Sequence, residues 1–142
     1  MIAVDTNLLI YGHRGGVSEH RAARGAIQKA SRDGRGWGIA APCIAEFWSV
    51  VTHPASAGGP STAQQAQGFL RALIVEAGAL VWLPQNGFWE RLARLATDLH
   101  VRGSRIFDLQ IALIAFENGA TEIWTHDRNF VTLPGLARHD PL

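Results

Sequence analysis

A chain of 142 residues with 47% hydrophobic and 18% charged residues has the size and composition of one folded domain, 1–142, burying roughly two thirds of its unfolded surface. Its net charge of +1 is too small to argue nucleic-acid binding by itself, and no apolar run approaches the roughly 20 residues that span a bilayer. No segment has the layout of a signal peptide, and the single cysteine, Cys43, has no partner for a disulfide, so a cytoplasmic protein away from membranes is expected.

Residues 2–5 read as a short buried strand ending on Asp5, and residues 6–12 as a helical turn or short helix. "SEHRAARGAIQKASRDG" reads as a helix capped at Ser18 and stopped near Gly34. "WGIAA" is a second strand. Pro42 fits the first turn of the helix that follows, "PCIAEFWSVVTH", and "PASAGGP" is a loop. Ser61, with Gln64 three residues on, matches a capping box for the helix "STAQQAQGFLRALIVEAG". "ALVWL" is a strand and "NGFWERLARLATDLHV" a helix. "SRIFDLQIALIAFENG" is another helix, closed by Gly119. "TEIWT" is the fourth strand, the loop "HDRNF" follows, and the tail has room for one more short strand. Strands alternating with helices predict an α/β fold, a mostly parallel twisted sheet of four to five strands flanked by helices.

The chain has 12 acidic residues. Glu19, Asp33, Glu90 and Asp98 sit where solvated acids belong. Four others do not. Asp5 interrupts the apolar run "MIAVDTNLLIY", and a buried carboxylate needs a cation or a set of donors. Glu46 borders the stripe Cys43, Phe47, Val50 and Val51 and is expected to point partly inward; a glutamate at the edge of the core and a site residue are both consistent with that. Asp108 precedes Ile111, Ala112 and Ala115 by helical spacings, which puts it on a buried face near a helix N-terminus, where an anion is favoured; a plain first-turn acid is the alternative. Asp127 follows a strand, as Asp5 does. In parallel α/β sheets ligands bind beyond the C-terminal ends of strands, although an N-cap for a following helix reads the same way. If the four converge, each pair at about 4 Å repels by roughly 4 kcal/mol at an effective dielectric near 20. Such a cluster calls for cations, and all-oxygen ligation points to Mg²⁺, with Mn²⁺ possible by the same chemistry.

"VDTNLLIY", "IAEFW", "FDLQIALIA" and "WTHDRNF", in this order along essentially the whole chain, make the sequence similar to PIN domains, and more narrowly to the VapC-type toxins of bacterial toxin–antitoxin pairs. The resemblance implies a three-layer fold and Asp5, Glu46, Asp108 and Asp127 as the acidic metal site, with Asn7 and Thr125 as supporting polar residues. It implies Mg²⁺-dependent endonucleolytic cleavage of RNA, a small VapB-like antitoxin as partner, and a homodimer. Phe107 and the Leu109–Gln110 pair beside Asp108 are bulkier than that pattern leads one to expect, and they bear on substrate choice. Arg14, Arg102, Arg105 and Arg128 lie near the motifs and are candidates for holding RNA phosphates. The six histidines show no metal-ligand spacing. The tryptophans are expected in the core or an interface, with Trp48 also able to stack a base. Cys43 is expected to be a buried small residue. Two other readings stand beside the nuclease: a phosphatase or phosphotransfer domain with Asp5 as nucleophile, which needs a second acid where Asn7 stands, and a non-catalytic binding module.

Overall fold

Strand β1 (Ile2–Val4) is buried at every position, as expected of a strand covered on both faces. In the computed structural model, which describes residues 1–142, it occupies the centre of a five-stranded parallel sheet. The order is β3-β2-β1-β4-β5, with β2 at Trp37–Ala40, β3 at Leu80–Trp82, β4 at Glu122–Trp124 and β5 at Ala137–His139. Ile2 is in register with Trp37 on one side and with Glu122 on the other. The expected tail strand is therefore present. Six α-helices flank the sheet: α1 (Thr6–His13), α2 (His20–Ser31), α3 (Ala41–Thr52), α4 (Ala63–Arg71), α5 (Phe88–Asp98) and α6 (Ile106–Glu117). No helix is long and apolar enough to cross a membrane.

Two helix starts differ from the sequence reading. Ser18 is not a cap: its hydroxyl donates to Glu19 Oε2 at 2.9 Å, and α2 begins at His20. The capping box at the head of α4 lies one residue later than the spacing of Ser61 and Gln64 suggests. Thr62 Oγ1 accepts from Gln65 N at 3.1 Å, and Gln65 Oε1 accepts from Thr62 N at 2.9 Å. Ser61 is drawn elsewhere, to His13 Nε2 at 2.8 Å and, through its own N–H, to Val51 O at 2.8 Å. Tertiary contacts thus choose between two adjacent hydroxyls that look equivalent in the sequence. Beyond α4 the chain continues as a π-helical turn, Ala72–Glu76. A 3₁₀ turn, Gly103–Arg105, leads into α6.

On α3, Cys43, Phe47 and Val51 are buried, but Val50 is exposed, so the stripe is narrower than its spacing implies. The strand glycine Gly38 leaves no room for a side chain. A Cβ there would lie 2.6 Å from two carbons of the Trp82 ring and 2.8 Å from Leu80 O, so the tryptophan lies directly on the β2 backbone. Trp37, Trp82 and Trp124 belong to the core, whereas Trp48 and Trp89 are 38% and 70% exposed. Cys43 is fully buried, and burial holds its thiol far above the ordinary range, so it is inert packing.

Candidate active site

The C-terminal ends of the two central strands open into a pocket of about 460 Å³. It is lined by Asp5, Thr6, Asn7, Ile10, Tyr11, Glu46, Phe107, Asp108, Ile111, His126 and Asp127. Each carboxylate arrives from a different element. Asp5 ends β1 and caps α1. Glu46 projects from α3, Asp108 from the first turn of α6, and Asp127 from the loop after β4.

Asp5 is the buried member, 6% exposed. Its Oδ1 accepts from Thr6 N at 2.7 Å. Its Oδ2 accepts from Thr125 Oγ1 at 2.7 Å and from Asn7 Nδ2 at 3.0 Å. Asn7 also donates to Thr125 Oγ1 at 2.8 Å, and its Oδ1 accepts from His126 N at 3.2 Å. Asn7 and Thr125 are thus the clasp between the two central strand ends. Burial pushes the Asp5 carboxyl up to about 6; the bonds from Thr125 and Thr6 oppose the rise, and the charges of Glu46 and Asp108 add to it.

The other three carboxylates are each tied by one oxygen. Glu46 Oε2 accepts from Thr6 Oγ1 at 2.6 Å. Asp108 Oδ2 accepts from Val131 N at 3.2 Å. Asp127 Oδ1 accepts from Asn129 N at 2.8 Å. That last bond makes a local turn, so Asp127 caps no helix. Glu46 is more exposed than its place beside the stripe suggests, because the threonine draws its carboxylate toward the pocket and out of the core. Burial raises Asp108 above the usual carboxylate range; the Val131 N–H opposes this, Asp127 and Glu46 reinforce it, and Arg105 weakly offsets it.

None of the four carboxylates is in a salt bridge, and no lysine or arginine lines the pocket. No three of the side chains close into a preformed metal cage. The arrangement still suits Mg²⁺. That ion keeps several waters and needs only one or two direct carboxylates, and Glu46 Oε1, Asp108 Oδ1 and Asp127 Oδ2 have no protein donor. Uncompensated negative charge with hard oxygen donors fits a hydrated divalent cation.

The four arginines are placed differently from one another. Arg14 is turned away from the pocket. It donates to Gly59 O at 2.7 Å, to Val51 O at 2.8 Å and to the Ser56 hydroxyl, and so braces the 53–61 loop. Arg105 lines a neighbouring cleft with Ser104, Asp108, Asp127 and Asn129. Arg102 and Arg128 are exposed. The pocket also holds residues that the sequence reading did not single out as site residues. Thr6 touches Glu46 across 40 positions, a pairing that no local pattern carries. Tyr11 lies one helical turn beyond Asn7, on the same face of α1. His126 stands between Thr125 and Asp127.

The PIN domain profile matches residues 2–136. Ribonuclease VapC43 of Mycobacterium tuberculosis is 32% identical over 142 residues, covering 100% of this chain and 96% of that protein. Ribonuclease VapC48 of the same species is 28% identical over 100 residues, 70% of this chain and 69% of that one. Among solved structures, VapC20 of Mycobacterium tuberculosis, described as a Sarcin-Ricin loop cleaving toxin, superposes with a TM-score of 0.68 at 14% identity, covering 92% of each chain. VapBC2 of Rickettsia felis, bound to a DNA fragment from their promoter, gives 0.66 at 18% identity over 98% of each chain. Those two likenesses speak for the fold, and the sequence matches carry the relationship: the chain belongs to the PIN domain family, and within it to the VapC type.

Proposed function

We propose that the protein is a Mg²⁺-dependent endoribonuclease, the toxin of a toxin–antitoxin pair, with Asp5, Glu46, Asp108 and Asp127 as its acidic metal site and Mn²⁺ as an acceptable substitute. The observation that supports this best is the convergence on one pocket of four carboxylates from four elements, with no protein cation among them. A divalent ion held there supplies the Lewis acidity for phosphodiester hydrolysis by water. The chain's own residues do the positioning. Thr125, Asn7 and the Thr6 N–H fix Asp5, and the Thr6 hydroxyl turns Glu46 toward the pocket. Arg105, beside Asp108 and Asp127, is the arginine best placed to hold a phosphate next to the acids. Asn7, which stands where a phosphatase with Asp5 as nucleophile needs a second acid, is engaged in holding Asp5, which argues against that reading.

The same reading makes a small VapB-like antitoxin the partner and the cytoplasm the place of action. A homodimer is part of it as well. Leu80, Val81 and Leu83, on and just after the edge strand β3, are exposed, as is Trp89 nearby in sequence, and such apolar surface favours a second copy.

The test is cleavage of end-labelled cellular RNA by the purified protein in Mg²⁺. Cleavage that stops with chelator and falls by orders of magnitude in Asp5→Asn and Glu46→Gln supports the reading, as does inhibition by the product of a short neighbouring reading frame. Full activity in Asp5→Asn, from a preparation free of other nucleases, sinks it. Light scattering at micromolar concentration checks the dimer.

A further inference from the structure

His126 follows the clasp residue Thr125 and is one of the residues lining the acidic pocket. Its N–H donates to Asn7 Oδ1 at 3.2 Å, so the asparagine that holds Asp5 also fixes this backbone. The imidazole is held on two further sides. Nδ1 lies 3.0 Å from both carboxylate oxygens of Asp140, just past β5. The ring meets Tyr11 edge-on, with centroids 6.2 Å apart.

An ionised carboxylate only accepts hydrogen bonds, so the proton of the neutral ring sits on Nδ1. Nε2 is then an acceptor without a protein donor. The Thr6 hydroxyl and the Asn7 amide of the pocket are spent on Glu46, Asp5 and Thr125, and a nucleic-acid phosphate brings only more acceptors. What Nε2 can take is a hydroxyl or a base N–H. The ribose 2′-hydroxyl is the donor found beside every phosphodiester of RNA and missing from DNA.

We propose that His126, oriented by Asp140, accepts a hydrogen bond from the ribose 2′-hydroxyl next to the phosphate bound at the acidic pocket, and so selects RNA over DNA. The inference rests on the ribonuclease reading above. In it His126 touches substrate, and Asp140 is a positioning residue acting through the ring.

The test uses an RNA that the wild-type protein cuts in Mg²⁺, and the all-deoxy strand of the same sequence. Both are fluorescein-labelled, and binding is followed by anisotropy in Ca²⁺, a hard cation that also takes oxygen ligands. Wild type should prefer the RNA. His126→Ala should weaken RNA binding by about five- to tenfold, the weight of one neutral hydrogen bond, and leave DNA binding within about twofold. Asp140→Ala should shift the preference the same way by less, and His126→Gln, which keeps an acceptor, should retain part of it. Equal losses on RNA and DNA overturn the inference, because the ring then grips phosphate. A changed Mg²⁺-induced melting shift in His126→Ala also overturns it, because the ring then serves the ion. If no RNA is cut at all, the ribonuclease reading itself has failed. Imidazole nitrogen NMR of the unaltered protein needs no variant: Nδ1 should carry the proton in the neutral ring, and a protonated Nε2 with bare Nδ1 rejects the proposal.

Discussion

Asp5 is where folding and the proposed function oppose each other most directly. Its carboxyl is shifted from 3.8 to about 6 in the folded chain. Below pH 3.8 it is protonated whether the chain is folded or not. Between 3.8 and 6 the folded protein keeps a proton that the unfolded chain has lost, so stability falls as pH rises through that window and is level above it. The full cost is about 3 kcal/mol in the absence of metal. Urea unfolding in chelator should therefore show wild type losing stability relative to Asp5→Asn between pH 4 and 6.5. Parallel curves for the two proteins would mean that the carboxyl is not held in this way. Asp108 is a milder case, because it is only part-buried and solvent screens its neighbours. Asparagine keeps the oxygen that accepts from Val131 N, so Asp108→Asn should abolish cleavage yet raise the metal-free melting temperature by about 2–4 °C. A mutant that melts lower in chelator would make Asp108 a structural tie.

At the scale of elements, the alternation of strands and helices was legible because burial leaves a strong mark: the strands are short apolar runs, and the helices carry their own stops. What could not be read were choices made by distant partners. Ser61 and Thr62 are neighbours with the same chemistry, and His13, 48 residues away, decides which of them caps α4. Thr62→Ala should cost about 1 kcal/mol of stability, whereas Ser61→Ala should leave the helix start intact; equal losses by thermal melting would contradict the observed box. Glu46 shows the same limit in the site. Its spacing placed it at the core's edge, but its carboxylate direction is set by Thr6. Asp5, Asp108 and Asp127 were legible as acids in places where acids are costly or sit at strand ends. Arg14 looked equally suited to a phosphate, and only the fold reveals that loop carbonyls occupy its donors.

For the whole molecule, the proposed metal site links ion binding to folding through the pocket. An ion that binds the folded site well and the unfolded chain poorly stabilises the protein by mass action, by about 2.7 kcal/mol at a hundred times its dissociation constant. Saturating Mg²⁺ should thus raise the wild-type melting temperature more than that of Asp108→Asn, by calorimetry; equal responses would place the ion elsewhere. The clasp of Asp5, Asn7 and Thr125 has a further consequence for how the protein is made. Asp5 and Thr125 are 120 positions apart, and β1, which is made before the other four strands of the sheet, finds its β4 neighbour only after more than a hundred further residues have been synthesised. Contacts of such long range form late. The acidic pocket therefore stays unassembled on the nascent chain, and a cell translating this protein meets no competent nuclease until β4 has emerged.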